Sequence, residues 1–314
     1  MCMFFDIQIN GCWGIDFNSE CLTQQQWRFA EEKLAADGTA YYLPTIITDS
    51  VPSMLAKISR LAGFIEQDPI STRHAVGIHV EGPFISHESG YIGAHPPQHA
   101  QPATLEIAKR FVEAGKGFIS LVTLAPEQDS RGEVTRYLSS QGICVAAGHT
   151  NATRDQLLQA IDSGLRLFTH LGNGCPANLA RHDSIIHRVL SLRNQIHVSL
   201  IADGYHLPLW LLRSWIDWFG IDRVSIISDA ISAAGLPSGV HSLGNRSVFV
   251  GDDGVPRSED KTHFVGSGAT LGKMNGILES QLHLNTVDRQ RLLLTNPATL
   301  IFGPDSIILS RKND

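Results

Sequence analysis

Short apolar runs separated by longer amphipathic stretches set the rhythm of this chain. The runs at 4–9, 39–46, 75–80, 118–124, 143–147, 165–169, 196–201 and 224–228 are rich in Val, Ile and Leu and alternate little with polar residues. Runs of that length and composition are what strands of a parallel sheet look like when both faces are covered. Between them, 24–36, 104–114, 154–163 and 207–218 carry apolar residues at helical spacing. Strict alternation of eight strand-then-helix units predicts an α/β fold, a (β/α)₈ TIM-type barrel. An open doubly wound sheet shares the alternation, and the count of eight separates the two.

The rhythm changes after residue 229. Residues 235–265 are rich in Gly, Ser, Asp and Pro, with a β-prone piece at 247–250, and predict a hairpin or loop insertion. Helical spacing returns at 281–294. With no low-complexity tract and no linker, 1–314 is expected to be one catalytic barrel domain carrying that insertion.

Four of the runs stop on a single ionisable residue: 75–80 on Glu81, 143–148 on His149, 165–169 on His170 and 224–228 on Asp229. In a closed barrel the carboxyl ends of the strands converge on one mouth, where such barrels do their chemistry. Taken singly, Glu81 is an ordinary solvated loop residue and each His an ordinary hydrogen-bonded one. Their equivalent positions in the repeat favour a shared cation, since a carboxylate and two imidazoles make a three-ligand site with a position left for water. Such a metal lowers the pKa of its water to about 7. Asp229 is placed to take that proton and return it to a leaving group; the alternative is an N-cap ahead of 230–234. His95, on a loop beyond Glu81, is a donor for a carbonyl oxygen that gains charge. Asn173, Arg181 and His206 offer an amide, a guanidinium fork and a further donor, which suit a polar, anionic ligand. The glycine-rich stretch 266–272 lacks the G-K-[ST] ending of a phosphate loop and the spacing of a dinucleotide turn, so Ala269, Thr270 and Leu271 are expected to wall a substrate pocket.

Composition narrows the partners. A net charge of −6 over 314 residues and the lack of a Lys/Arg stripe argue against nucleic acid and anionic membrane surfaces. The five cysteines form no C-x-x-C pair, so neither a disulfide framework nor a cysteine-rich zinc site is indicated, and a reducing cytoplasm fits. The start has no signal-peptide pattern, and no apolar stretch approaches the roughly 20 residues that span a bilayer.

Ordered along the chain, several stretches resemble the N-acetylglucosamine-6-phosphate deacetylases of the amidohydrolase superfamily. They are Asp6-Ile7-Gln8-Ile9-Asn10-Gly11, Leu43-Pro44-Thr45-Ile46-Ile47-Thr48, His79-Val80-Glu81-Gly82-Pro83-Phe84, Gly93-Ala94-His95, Thr123-Leu124-Ala125-Pro126-Glu127, Gly148-His149, and Phe168-Thr169-His170-Leu171 with Asn173. Further on come Ile201-Ala202-Asp203-Gly204 with His206, and Ser228-Asp229-Ala230 with Ala233-Ala234-Gly235. The resemblance runs from about residue 4 to about 303. It implies one divalent metal ion, zinc first with iron, cobalt or manganese as substitutes, on residues matching Glu81, His149 and His170. It further implies proton transfer through the residue matching Asp229, carbonyl polarisation by that matching His95, and sugar-phosphate binding by those matching Asn173, Arg181 and His206. Gln8, Gly174, Ala269, Thr270 and Leu271 fall in the same implied substrate pocket.

The implied reaction is hydrolysis of the N-acetyl amide of N-acetylglucosamine 6-phosphate to glucosamine 6-phosphate and acetate, in cytoplasmic amino sugar catabolism. The implied unit is a homodimer in which Arg181 reaches the neighbouring site. Two alternatives stay open: another acylated amino sugar phosphate such as N-acetylgalactosamine 6-phosphate, and a non-catalytic sugar-phosphate binder, which would have no need of a proton carrier at Asp229.

The chain departs from the family pattern in three places. Gln8 and Asn10 stand where many amidohydrolases carry His-x-His for a second metal, which resembles the one-metal subset. The chain begins almost on its first strand, so the accessory β-sandwich of the family is expected to be largely missing. Around Asn173, Leu171-Gly172-Asn173-Gly174-Cys175 replaces the usual large residue before the Asn and Ala-Met after it.

Overall fold

Strands form where the apolar runs predict them. The computed structural model describes residues 3–67, 74–243, 246–258 and 266–310. Among these, eight strands pair in one sheet, each beside its successor in the chain. They are β1 (Phe4–Ile9), β2 (Thr39–Ile47), β3 (Ile78–Glu81), β4 (Ile119–Leu124), β5 (Cys144–Ala147), β6 (Leu165–Phe168), β7 (His197–Ile201) and β8 (Val224–Ile227). Every pairing is parallel. The sheet closes at its carboxyl ends, where Asp229 N–H donates to Gln8 O at 2.9 Å and Asn10 N–H to Ala230 O at 2.8 Å. The molecule is therefore a (β/α)₈ barrel.

Differences from expectation lie at element ends and have local causes. β3 starts at Ile78, because Ala75 makes only an isolated bridge to Tyr42. Pro44 within β2 has no N–H to donate, and the β1–β2 register shifts between Asp6 and Ile9. The Ile9 N–H donates instead to Thr45 Oγ1 at 3.0 Å. The helix expected at 207–218 spans Leu209–Phe219, since Pro208 holds the residue before it out of helical conformation. A helix not foreseen, Val51–Gln67, follows β2 and buries Met54, Ile58, Leu61 and Ile65. The helical stretch expected at 281–294 begins only at Thr286, because Asn285 caps that helix by accepting from Asp288 N–H. It then runs through a π-turn, Arg291–Thr295, into Asn296–Phe302.

In the Gly-rich region, Gly239–Leu243, Arg246–Val250 and Pro256–Ser258 form an antiparallel three-stranded sheet. Val248 and Val250 pack on Ala233 and Ile231, which anchors the sheet to the segment following Asp229. Residues 244–245 and 259–265 lie outside the described residues.

Barrel interiors are usually filled by Val, Ile and Leu. Here the layer beneath the mouth is polar: Gln8, Thr45, His79, Thr123, Thr169 and Ser199 are all at most 1% exposed. Buried polar groups need partners. His79 lies between Thr45 Oγ1 (3.3 Å from Nδ1) and Thr123 Oγ1 (2.8 Å from Nε2). Thr169 Oγ1–H donates across the barrel to Gln8 Oε1 at 2.5 Å.

Asp6 lies one layer deeper, two residues before Gln8 on the same face of β1. Its Oδ1 accepts the N–H groups of Gln8 and Ser228, each at 3.2 Å, which ties β1 to β8. Burial pushes its pKa from 3.8 to about 7, against the opposing pull of the hydrogen bonds from Ser228 and Gln8. The native state thus binds a proton that the unfolded chain releases at lower pH. The stability this contributes is complete below 3.8 and lost as pH rises through about 7. Asp6→Asn, whose amide oxygen accepts the same N–H groups, is expected to abolish that loss and gain about 4 kcal/mol over the native protein at pH 8. Urea unfolding at pH 5 and pH 8 measures it, and an unchanged slope in the variant would place the titration elsewhere.

Candidate active site

Three of the site residues share one backbone device. His149, His170 and Asp229 each sit two residues beyond the last residue of β5, β6 and β8, with φ of 50°, 33° and 45°. A positive φ in a side-chain-bearing residue costs on the order of 1–3 kcal/mol and persists where the surroundings over-determine it, commonly at active sites. Here it turns each chain off the barrel rim and leaves the side chain over the mouth. Glu81, the last residue of β3, arrives there directly.

The side chains converge. His170 Nε2 is 3.0 Å and His149 Nε2 3.4 Å from Glu81 Oε1. His95 Nε2 lies 3.2 Å from His149 Nε2 and 3.8 Å from Glu81 Oε2. Donor atoms of Glu81, His95 and His149 all fall within 4.8 Å of one another, so His95 stands among the potential ligands and not apart from them. His149 Nδ1–H donates to Tyr91 O at 2.9 Å, which leaves Nε2 as the ring nitrogen that faces Glu81. One carboxylate and several imidazoles, buried and clustered, fit a divalent cation.

The electrostatics agree with that fit. Burial opposes ionisation of Glu81, yet hydrogen bonds from His149 and His170 hold its carboxyl well below the usual range. Burial alone would lower His170, but its hydrogen bond and attraction to Glu81 raise it. Asp229 is raised, chiefly by burial, with Glu81 adding to the rise while His170, His206 and the hydrogen bond from Asn10 pull the other way. A carboxyl raised toward the working pH is suited to accepting and returning a proton.

The remaining expected residues divide. Gln8 is in the cluster, its Nε2 3.1 Å from Glu81 Oε1 and 3.4 Å from Asp229 Oδ1. His206 is held by Asp203, Nδ1 to Oδ2 2.7 Å, and is near enough to Asp229 to lower its pKa. Asn173 Nδ2 is buried without a partner, as are His95 Nδ1 and His170 Nδ1, so polar groups are left over for a ligand. Gly174 (φ 60°) presses on the imidazoles: a Cβ there would lie 3.0 Å from His149 Nδ1 and 3.3 Å from His170 Cε1. Thr270 caps the helix Leu271–Ser280 and donates to Asp37 Oδ1 at 2.7 Å, while Leu271 is in the core. Ala269 is buried beside them, two residues after Ser267, whose carbonyl accepts Ile231 N–H next to Asp229. Arg181 is exposed on the loop before the helix Ile185–Ser191 and outside the cluster.

Asn10, read in the sequence only as a neutral amide at a second-metal position, touches the proposed proton carrier. Its Nδ2–H donates to Asp229 Oδ1 at 2.8 Å. The signal was present in the i, i+2 spacing that puts Asp6, Gln8 and Asn10 on one face of β1 and its extension.

A parallel barrel with a carboxylate, imidazoles and a raised Asp at its carboxyl mouth is the architecture of an amidohydrolase-type hydrolase. No protein-family model matches the sequence. The N-acetylglucosamine-6-phosphate deacetylase of Bacillus subtilis (strain 168) is 29% identical over 282 residues, 89% of this chain and 68% of that protein. The N-acetylgalactosamine-6-phosphate deacetylase of Shewanella sp. (strain ANA-3) is 32% identical over 302 residues, 96% of this chain and 74% of that protein. Among solved structures, N-acetyl-D-glucosamine-6-phosphate deacetylase from Mycobacterium smegmatis in complex with N-acetyl-D-glucosamine-6-phosphate superposes with a TM-score of 0.84 at 28% identity, covering 96% of this chain and 77% of that one. The chain belongs to the N-acetylglucosamine-6-phosphate deacetylase family and is an amide hydrolase.

Proposed function

We propose that the chain hydrolyses the N-acetyl amide of N-acetylglucosamine 6-phosphate to glucosamine 6-phosphate and acetate. The observation that carries this is the meeting of Glu81, His149 and His170 at the barrel mouth with Asp229 opposite, in a chain of this family. Glu81, His149 and His170 would hold the metal, with zinc the first choice for that donor set. A cation held there would supply Lewis acidity to the amide carbonyl and to the attacking water. Asp229 removes the water proton and passes it to the amide nitrogen as the C–N bond breaks. His95, kept neutral because burial and His149 push its pKa down to about 3, offers an N–H to the oxygen that gains charge. Asn173, His206 and, across a homodimer interface, Arg181 bind the sugar phosphate. Among the described residues no helix is long and apolar enough to cross a membrane; the cytoplasm is the proposed compartment.

The test is acetate release from N-acetylglucosamine 6-phosphate by zinc-loaded protein; folded, loaded protein that releases none rejects this substrate. A second reading, N-acetylgalactosamine 6-phosphate, is favoured by the 32% identity to the Shewanella enzyme over 96% of the chain. The ratio of kcat/KM for the two epimers decides between them. Arg181→Ala is expected to raise KM for the phosphorylated substrate about tenfold or more while leaving an unphosphorylated analogue within about twofold, because a charge-assisted hydrogen bond to phosphate is lost. Equal effects on both would remove Arg181 from the phosphate site.

A further inference from the structure

Gln8 reaches two carboxylates that the proposed chemistry uses for different purposes. Its Nε2 faces Glu81 Oε1 at 3.1 Å and Asp229 Oδ1 at 3.4 Å, and its Oε1 accepts from Thr169 Oγ1 at 2.5 Å. Which end of an amide faces which partner follows from what the partners can do. An ionised Glu81 only accepts, so the NH₂ end faces it, and Thr169 must then donate to Oε1. Thr169 Oγ1 lies 3.5 Å from Ser199 Oγ, which accepts the backbone N–H of His170 at 2.9 Å. The Ser199 proton is thereby left to turn toward Thr169. One direction of donation runs from the His170 backbone through Ser199 and Thr169 into Gln8 and ends on both carboxylates.

The members of this relay come from β1, β7 and the segment just past β6, so it is a tertiary feature and not a local turn. Gln8, Thr169, Ser199 and His170 are each at most 2% exposed, which leaves water no easy way to replace a missing link. Both N–H groups of the Gln8 amide are already spent, one on each carboxylate, so it has none left to give a sugar.

We propose that Gln8 is a positioning residue, oriented by Thr169, whose amide fixes the metal carboxylate Glu81 and the proton carrier Asp229 relative to each other. This differs from the expectation that Gln8 contacts substrate, and it rests on the reading above in which Glu81 binds metal and Asp229 moves a proton. Without the Thr169 hydroxyl the amide is free to rotate and bring Oε1, an acceptor, against Glu81. Both carboxylates then lose the shared Gln8 amide that links them, while Asn10 stays on Asp229, His170 stays on Glu81 and every metal-ligating side chain remains in the sequence.

The experiment uses the whole chain in four variants: Thr169→Val, Thr169→Ser, Gln8→Leu, and Gln8→Leu with Thr169→Val. Zinc Kd is measured by chelator competition, Tm without metal, and kcat and KM by acetate release. Thr169→Val and Gln8→Leu are each expected to weaken zinc binding about 10- to 100-fold, the usual effect of losing an outer partner of a metal ligand. They should lower kcat about tenfold or more with KM within about threefold. Thr169→Ser should match the parent in Kd and kcat. The double variant should be no worse than Gln8→Leu alone, since the Thr acts through the Gln.

Additive losses in the double variant would overturn the proposal, because Thr169 would then be acting on its neighbour His170 directly. Raised KM with unchanged kcat would also overturn it, by making Gln8 a substrate contact. Should Gln8→Leu fail to fold, the Thr169→Val and Thr169→Ser pair still decides: equal zinc Kd in the two sinks the proposal. If the parent binds zinc yet releases no acetate, the functional reading fails, and the pattern of zinc Kd alone still tests the positioning role.

Discussion

Asp229→Asn is expected to retain the fold and the metal while losing turnover by roughly 10²- to 10⁴-fold, the range over which a positioned proton carrier contributes. The substitution is nearly isosteric, and an amide oxygen at the Oδ1 position still accepts from Asn10 Nδ2, which now stands 2.8 Å away. His149 and His170 keep their contacts with Glu81, so the donor set is intact. What is lost is a site for the proton between its leaving the water and its arrival at the amide nitrogen. The pH profile carries a second mark. Burial raises the Asp229 pKa, so the base form accumulates only above that raised value, and kcat/KM of the parent should climb with pH through it and then level. In the variant that limb should vanish along with the rate. Metal content by elemental analysis, together with kcat on the loaded protein, decides the matter, and retained kcat would take the proton-carrying role away from Asp229.

The barrel was legible because its signal is redundant. Each strand is announced by an apolar run, and the runs repeat in alternation with helical spacing, so an error of two or three residues at one end, as at Ala75 or Leu207, leaves the count of eight intact. The cluster at the mouth was legible for a related reason: Glu81, His149, His170 and Asp229 close four of those runs, and a closed parallel sheet gathers such positions at one mouth. The helix Val51–Gln67 was passed over, although its buried positions have clear helical spacing. The false start at 281–285 arose because apolar periodicity does not register a cap, and Asn285 resets the helix there.

What stayed hidden was contact across the barrel. Nothing in the neighbourhood of Gln8 says that its amide will bridge Glu81 and Asp229, 73 and 221 residues away, or that Thr169 will orient it from 161 residues away. The polar layer of Gln8, Thr45, His79, Thr123, Thr169 and Ser199 was hidden for the same reason. In sequence each residue is a single polar interruption inside an apolar run, with no local sign of a shared interior. Gly174 falls in the ligand loop by its position beside Asn173; that its bare Cα makes room for His149 and His170 was not visible. Thr270 reads as part of a backbone wall from its glycine-rich setting; that its hydroxyl is committed to Asp37 and to the helix it caps was not visible.

His149→Ala is expected to abolish tight metal binding, raising Kd by more than the roughly 10- to 100-fold that loss of an outer partner brings. Its ring reaches Glu81 only because several constraints agree. The backbone is held at φ 50°, Nδ1–H is engaged by Tyr91 O at 2.9 Å, and Gly93 and Gly174 leave room on either side of the ring. Alanine removes the Nε2 donor and leaves the Tyr91 carbonyl without its partner, while Glu81 keeps His170 at 3.0 Å and Gln8 at 3.1 Å. The remaining carboxylate and imidazole make a two-ligand site, too few to hold a catalytic cation firmly. Because a metal that binds only the folded state stabilises it by about 2.7 kcal/mol at a hundredfold excess over Kd, the parent should gain Tm on zinc addition and His149→Ala should not. His95→Ala supplies the contrast, since His95 Nε2 also lies within the donor cluster. If His95 polarises the carbonyl, its loss spares both zinc Kd and the thermal gain and lowers kcat; if it is a ligand, it follows His149→Ala. Undiminished zinc affinity in His149→Ala would remove that residue from the ligand set and leave the cation to Glu81, His95 and His170.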